Sequence, residues 1–200
     1  AGLAIDGANR WLADSQPGLL TFQEVETLVL EGCEIRGAQK FAVWAERCGG
    51  RIENNGISGA AASAVYAVEC RNFAIRDNVV SDCGDGGILV HHWTKGFDGT
   101  IVTGNRISRI LARSGGTGEY GNGINVFRAD GVQIANNHIT DCAFTAIRSN
   151  AGSNVQITAN QCLGSGETAI YSEFGFEGAM IANNVIDGAA NGILSVNFNE

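Results

Sequence analysis

The sequence predicts an all-β protein, a right-handed parallel β-helix (a solenoid) of about seven to eight coils with three parallel sheets and an Asn ladder. Two short patterns recur in a fixed register along the 200 residues, and no segment shows a sustained 3.6-residue apolar period. A repeat of twenty-odd residues without helical periodicity is typical of coils built from short strands, in which each coil stacks on its neighbours.

The first pattern is an apolar residue, two spacers, Asn, one spacer and then Ile, Val or, once, Cys. Starting from Cys33, which replaces the first Asn, the anchors are 22, 23, 27, 32, 23 and 24 residues apart. The later anchors are Asn55, Asn78, Asn105, Asn137, Asn160 and Asn184. Coils stack about 4.8 Å apart, so these amides can form an inward ladder in which each bonds its neighbours. We expect the ladder to be structural.

The second pattern is Gly or Ala followed by a β-branched residue. The β-branched residue comes 10 residues after most anchors, but 19 residues after Asn105 and 9 after Asn184. In a model coil over 132–149, period-2 alternation sends one set of side chains inward. This set is Val132, Ile134, Ile139, Ile147 and Ser149. We therefore expect a core made of columns of Val and Ile.

Charge and hydropathy exclude two classes of partner. The net charge of −8 argues against a nucleic-acid partner, which requires a basic face. No apolar run approaches the roughly 20 residues of a transmembrane segment. Both ends of the chain lie within the repeat pattern, so we expect 1–200 to be a single β-helix domain from a longer array. Uncapped ends of such an array would favour self-association.

Two resemblances extend this prediction. The Asn-containing turn resembles that of the pectate-lyase-like superfold, where the ladder lies between the second and third sheets and the first sheet carries the substrate groove. Motifs at 86–90, 93–96, 120–122, 125–129, 142–144, 171–174 and 195–200 are similar to a bacterial family of twin-arginine-translocated uncharacterised β-helix repeat proteins. The resemblance covers nearly the whole chain. It implies export in a folded state, hence a periplasmic or secreted location, and it implies no reaction.

Two segments depart from the regular spacing. Residues 91–99 move the next anchor by about four positions, and residues 109–121 add nine before the strand at Ile124. Departures in a solenoid usually mark the binding face. One segment follows a first-sheet strand and the other precedes the next one, so we expect them to form two walls of a cleft.

Parity gives the outward side chains of the first sheet. One column contains Trp44, Tyr66, Leu89, Asn125, Arg148, Tyr171 and Leu194, and the next contains Glu46, Val68, His91, Phe127, Asn150 and Glu173. The candidate catalytic residues are His91, Arg148 and Tyr171. The candidate substrate-binding residues are Trp93, Lys95, Asn125, Phe127, Asn150 and Glu173.

This set of residues suits an acidic, uronate-type polysaccharide and lyase or epimerase-like chemistry. Proton abstraction beside a carboxylate needs a cation or amide, a base and an acid. Arg148 with Asn125 would take the first role, and His91 or Tyr171 the other two. The alternative is a non-catalytic carbohydrate-binding or envelope-structural solenoid. Hydrolysis by two carboxylates is a further option, with Asp85, Asp98, Glu119, Glu173 and Glu177 as candidates.

The sequence predicts no metal site and no cofactor. Ca²⁺ could be held by the carboxylates, but no calcium-binding motif is present. The six cysteines lack metal-ligand spacing. Cys48 and Cys70 occupy equivalent positions in adjacent coils, so they could form a disulfide or stack as free thiols. Cys162 replaces an inward Ile and should be buried and inert.

Overall fold

The computed structural model describes residues 2–116 and 118–198, and this part of the chain forms 21 strands and no helix. Each coil contributes one strand to each of three faces, and neighbouring coils pair in parallel. The predicted parallel β-helix, with about eight coils, is therefore confirmed. The candidate site lies on the face that we call sheet 1.

Sheet 1 contains β2 (Gly18–Gln23), β5 (Phe41–Glu46), β8 (Ser63–Val68), β11 (Gly86–Phe97), β14 (Asn122–Asp130) and β17 (Ile147–Asn150). Sheet 2 contains β3 (Leu28–Glu31), β6 (Gly50–Glu53), β9 (Ala74–Arg76), β12 (Ile101–Thr103), β15 (Gln133–Ala135), β18 (Val155–Thr158) and β20 (Ala179–Ala182). Sheet 3 contains β1 (Ala4–Asp6), β4 (Glu34–Arg36), β7 (Gly56–Ser58), β10 (Val79–Cys83), β13 (Arg106–Ile110) and β16 (His138–Cys142).

Two long strands run around a corner of the coil. These are β19 (Gln161–Glu173) and β21 (Val185–Val196). The first half of β19 pairs with β16 in sheet 3, and its second half pairs with β17 in sheet 1. Three separate short strands per coil were expected, but here the backbone hydrogen bonds continue through the bend. Sheets 1 and 3 are thereby joined into one hydrogen-bonded surface.

The core consists of aligned apolar columns. Ile134 lies opposite Ile157, Ile107 opposite Ile139, and Ile124 opposite Ile147. The side chains predicted to point inward from the model coil are all buried. Apolar burial in columns removes most of the Val and Ile surface from water, which is the main favourable contribution to folding.

The Asn ladder occupies the turn between sheets 2 and 3. The Asn105 amide nitrogen donates to Asn137 Oδ1 at 2.9 Å, and Asn137 donates to Asn160 Oδ1 at 3.0 Å. Each Oδ1 also accepts the backbone N–H of the preceding anchor, as between Asn105 N and Asn137 Oδ1 at 3.0 Å. Cys33 heads the ladder, with its N–H bonded to Asn55 Oδ1. The predicted structural ladder is confirmed.

The six cysteines are free and buried. Cys48 and Cys70, which the sequence left open as a disulfide pair, are stacked thiols whose Sγ atoms approach the carbonyls of Phe22 and Ala45 in the preceding coils. Burial raises the pKa of Cys162 to about 12, which agrees with the buried, inert thiol expected there. Within the described residues, no helix is long and apolar enough to cross a membrane.

Candidate functional site

The outer face of sheet 1 carries the two predicted columns in register. Leu89 lies opposite Asn125, which lies opposite Arg148, which lies opposite Tyr171. In the second column, His91 lies opposite Phe127, and Phe127 opposite Asn150. Neighbouring side chains in each column are therefore one coil apart, about 4.8 Å.

A cleft of about 570 Å³ lies over the middle of these columns. Its lining residues are Tyr66, His91, His92, Trp93, Gly118, Glu119, Asn125, Phe127, Arg128, Arg148 and Asn150. A second depression of about 310 Å³ extends toward Phe41 and Trp44 and shares Tyr66, His91 and Glu119 with the cleft. Together they form one groove across β5, β8, β11, β14 and β17, four coil steps or roughly 19 Å long.

The first wall of the cleft is a bulge in β11. His91 pairs with Phe127 and Gly96 with Ala129, so the residues between them outnumber those on β14 and are displaced outward. The exposed Trp93 is held at this edge by its backbone. Its N–H donates to Glu69 Oε1 at 2.7 Å, and its carbonyl accepts from Arg128 Nη1 at 2.7 Å.

His92 anchors the bulge from below. Its ring is buried, with Nε2 3.0 Å from Asp98 Oδ2 and Nδ1 3.4 Å from Glu69 Oε2. Burial raises the pKa of Asp98, although hydrogen bonds from Thr100 and His92 oppose the shift. The imidazole thus bridges two coils, and the bulge is a fixed part of the fold.

The second wall is the loop whose described residues are 111–116 and 118–121. Asp85 fastens it by accepting the Ser114 N–H and hydroxyl, each at 2.7 Å. Asn122 Nδ2 donates to the Gly118 carbonyl at 2.7 Å. Gly118 has a φ of +44° and lies against the Arg148 guanidinium so closely that a Cβ would collide with it. Both irregular segments therefore border the cleft, as their spacing predicted.

Arg148 lies under this loop, bound to the buried Glu173. Its Nε donates to Glu173 Oε1 at 2.6 Å, and Asn150 Nδ2 donates to the same oxygen at 2.8 Å. The guanidinium stacks over the Tyr171 ring, 5.2 Å from its centroid. Glu173 thus compensates the charge of Arg148, and Arg128 is the other cation that lines the cleft.

His91 lies between Tyr66 and Phe127 on the cleft floor. Its ring contacts theirs at centroid distances of 5.1 Å and 5.6 Å. Burial lowers the pKa of His91 to about 3, so the imidazole is neutral at any physiological pH. The neutral ring continues a row of aromatic rings that starts at Phe41 and Trp44, with Trp44 and Tyr66 4.5 Å apart.

The structure brings six of the nine predicted site residues to the cleft lining: His91, Trp93, Asn125, Phe127, Arg148 and Asn150. Tyr171 and Glu173 lie behind Arg148 and contact it from the next coil. Burial and the nearby Glu173 raise the pKa of Tyr171. Lys95 is directed away from the cleft, because its ammonium donates to the Gly175 carbonyl at 2.6 Å.

The carboxylates considered for hydrolysis are mostly engaged in the fold. Asp85 fastens the loop, Asp98 bonds His92, and Glu173 bonds Arg148. Glu119 is exposed at the cleft edge. No pair of unengaged carboxylates faces across the cleft among the described residues, so the geometry gives no support to hydrolysis by paired carboxylates.

Sequence reasoning missed three groups at the site: His92, Glu69 and Gly118. His92 and Glu69 act through a bulge whose register cannot be read from spacing alone. Arg128 has a φ of +57°, which turns its side chain back over Phe127. The glycine-rich stretch at 115–118 was a signal for close backbone approach, but its contact with Arg148 depends on the loop's path.

Comparison with known protein families shows to which family this chain belongs. Residues 2–192 match the family described as NosD, periplasmic copper-binding protein. The chain belongs to this family. The description agrees with the periplasmic or secreted location expected from the sequence. No curated protein matches the chain.

Two solved structures are similar to the chain in fold. The catalytic unit of a thermostable alpha-1,3-glucanase from Streptomyces thermodiastaticus is 16% identical with a TM-score of 0.38, over 94% of this chain and 51% of that one. The A-module of the mannuronan C-5 epimerase AlgE6 from Azotobacter vinelandii is 13% identical with a TM-score of 0.35, over 85% of this chain and 63% of that one. The chain thus spans less than two thirds of either.

The described residues do not fit the copper site that the family description implies. No group of three or more His, Cys, Asp or Glu side chains converges on a point in the part of the chain that the structure describes. Both His92 nitrogens face carboxylates on opposite sides. Burial raises the pKa of Cys70, Cys83 and Cys142 to about 12, whereas a cysteine that binds copper does so as the thiolate.

Proposed function

We propose that the groove on sheet 1 binds a glycan chain. The observation that carries this proposal is the row of rings from Phe41 through Trp44, Tyr66 and His91 to Phe127, with neighbouring centroids 4.5–5.6 Å apart. Flat, partly exposed rings offer apolar surface to sugar ring faces, while polar groups beside them bond hydroxyls. The groove's length suits several sugar units lying along the coil axis.

The finer proposal is an acidic, uronate-type chain. Arg128 and Arg148 both line the cleft, and a carboxylate could share the guanidinium donors that Glu173 leaves unused. The compensated charge of Arg148 and the exposed Glu119 act against strong anion binding. A neutral glycan is therefore the comparison that any binding test must include.

Trp93 provides the test of glycan binding. The side chain is 52% exposed at the cleft wall, so Trp93→Ala removes contact surface without opening the core. We expect titration calorimetry with a galacturonate hexamer and with cellohexaose to show binding of at least one, weakened about tenfold or more by Trp93→Ala. Trp11, 72% exposed near β1, supplies the matched control, and Trp11→Ala should leave binding unchanged. Failure of the wild type to bind either hexamer would overturn the proposal.

Lyase or epimerase-like chemistry on a uronate is the second candidate. The observation that favours it is the presence of His91 and Arg148 in one cleft, two coil steps apart. Arg148 with Asn125 would hold the carboxylate, and neutral His91 or Tyr171 would transfer protons. Turnover would produce a new double bond or an inverted C5 centre, and His91→Ala should abolish either without a matching loss of binding. Wild-type protein that binds the hexamer and leaves it unchanged contradicts this candidate.

Export by the twin-arginine route is proposed on the family resemblance in the sequence. A β-helix stabilised by contacts over its whole length suits export after folding. The full-length precursor should stay in the cytoplasm of cells that lack the twin-arginine translocase. Normal appearance of the precursor's mature form outside the inner membrane of such cells would contradict this route.

Self-association is proposed for the coil formed by β20 and β21. Met180, Val185 and Ile193 there are each more than half exposed. Exposed apolar strands with free edges pair readily with other chains. Sedimentation of the 200-residue chain should show concentration-dependent association that Ile193→Lys weakens. A monomer at all concentrations would contradict it.

A further inference from the structure

Two polar atoms on the cleft floor have no hydrogen-bond partner among the described residues. They are Asn125 Oδ1 and His91 Nε2, and both are buried. The Asn125 side chain is only 5% exposed, and its amide nitrogen makes one long bond, 3.4 Å, to the Glu119 carbonyl. Leaving a buried acceptor unsatisfied costs stability, so such atoms call for an explanation.

Both atoms belong to residues that line the cleft and point outward from adjacent coils. Asn125 lies two residues before Phe127, which is directly opposite His91. Two strand rises of about 3.3 Å and one coil step of about 4.8 Å put their Cα atoms roughly 8 Å apart. A single ring with hydroxyls on both sides can span this gap.

The fold itself does not require polar residues at these positions. Asn125 stands in a column whose preceding member is Leu89, and His91 stands between the apolar rings of Tyr66 and Phe127. Leucine and phenylalanine would continue these columns without an unsatisfied atom. Proteins keep such local conflicts chiefly at functional sites.

We propose that Asn125 and His91 are the specificity-determining pair of the groove and that they bind hydroxyl groups of one sugar unit. This inference rests on the proposed glycan binding and goes on to name the groups that are recognised. Asn125 Oδ1 can only accept, so it selects a donor. His91 Nε2 donates or accepts according to its tautomer, and a hydroxyl satisfies either. Sites built on such atoms reject analogues that lack the matching hydroxyl.

The proposal predicts that stability and binding change in opposite directions. Asn125→Leu and His91→Phe should each raise the melting temperature by about 2–4 °C, the shift expected from removing an unsatisfied polar group in a domain of this size. Each should also weaken binding of whichever hexamer the wild type binds, galacturonate or cellohexaose, about three- to tenfold. Thr145 provides the matched control, because its buried Oγ1 is also unpartnered among the described residues but lies outside the cleft lining.

Thr145→Val should raise the melting temperature and leave hexamer binding unchanged. Three outcomes distinguish the role of the Asn125–His91 pair from glycan binding by the groove as a whole. Opposite changes in stability and binding for both cleft variants support the pair. Wild-type binding that neither variant weakens, or a lower melting temperature for both, overturns the pair and leaves glycan binding standing. A wild type that binds neither hexamer overturns the proposed function, and the assignment of the pair falls with it.

Discussion

Arg148 and Glu173 form an ion pair at the base of the cleft, with side-chain exposures of 12% and 2%. The two residues come from neighbouring coils, at adjacent positions of the two outward columns of sheet 1. Because Asn150 donates to the same carboxylate oxygen, Glu173 is the centre of a small network. The pair couples the folding of this coil to the position of the guanidinium in the cleft.

Removing one partner of this pair should lower the stability of the fold strongly. Glu173→Gln leaves a mostly buried guanidinium without its counter-charge, and we expect the free energy of unfolding to fall by about 3 kcal/mol or more. The double variant Arg148→Gln with Glu173→Gln should recover much of this loss. Urea unfolding of the four proteins in the cycle measures the coupling. Additive effects of the two substitutions would show that the pair contributes nothing.

Substitution of a ladder Asn should lower the stability of the protein by a similar amount. Asn137→Leu removes the oxygen that accepts both the Asn105 N–H and the Asn105 side-chain amide, and it takes the side-chain donor away from the Val102 carbonyl. We therefore expect the free energy of unfolding to fall by about 3 kcal/mol or more. The neighbouring Asn136 is exposed and has a φ of +56°, so Asn136→Gly should be nearly neutral. Thermal unfolding compares the two. Similar melting temperatures for both variants would contradict the ladder's contribution.

His91 should make stability depend on pH in a defined direction. The pKa of the folded state, about 3, lies below the ordinary value of 6.5, so the unfolded chain binds the proton first. Stability is therefore retained above pH 6.5 and lost as the pH falls from 6.5 toward 3, by up to about 1.4 kcal/mol per pH unit. The advantage of His91→Phe over the wild type should grow on acidification. An imidazole NMR signal of His91 that titrates near pH 6.5 would contradict this.

Glycine should be required at Gly118, at the tip of the second wall, but not at the nearby Gly116. Gly118→Ala combines a positive φ with a contact that the Arg148 guanidinium or the loop must relieve by moving. Either movement changes the cleft lining, so the substitution should weaken hexamer binding about tenfold. Gly116 in the same loop has an ordinary φ, and a Cβ there would lie 3.4 Å from Phe144. Gly116→Ala should therefore bind normally. Equal affinities for both variants in titration calorimetry would show that the contact is irrelevant.

The sequence predicted the fold well because a solenoid repeats its constraints. Each coil has to place an Asn at the turn and Val or Ile in the core, so six coils gave independent evidence for the same register. The same parity placed His91, Asn125 and Arg148 on one face correctly. Residue spacing was sufficient for these positions because adjacent coils differ by a simple translation.

The site's finer geometry could not be predicted, because the site lies where the repeat is interrupted. The two walls are the places where the repeat breaks, so equivalent residues no longer have equivalent positions. Lys95 was placed at the cleft, but the bulge carries its ammonium to the Gly175 carbonyl. The compensation of Arg148 by Glu173 depends on rotamers, which residue spacing does not encode.

Glycan binding in the groove is tested most directly by a crystal structure of the chain soaked with whichever hexamer binds, galacturonate or cellohexaose. If the groove binds the glycan, sugar density should lie along sheet 1 between Trp93 and Gly118, stacked on Tyr66 and Phe127, with hydroxyls bonded to Asn125 and His91. Density on sheet 2 or sheet 3, or an empty cleft at a concentration that saturates binding in solution, would contradict it.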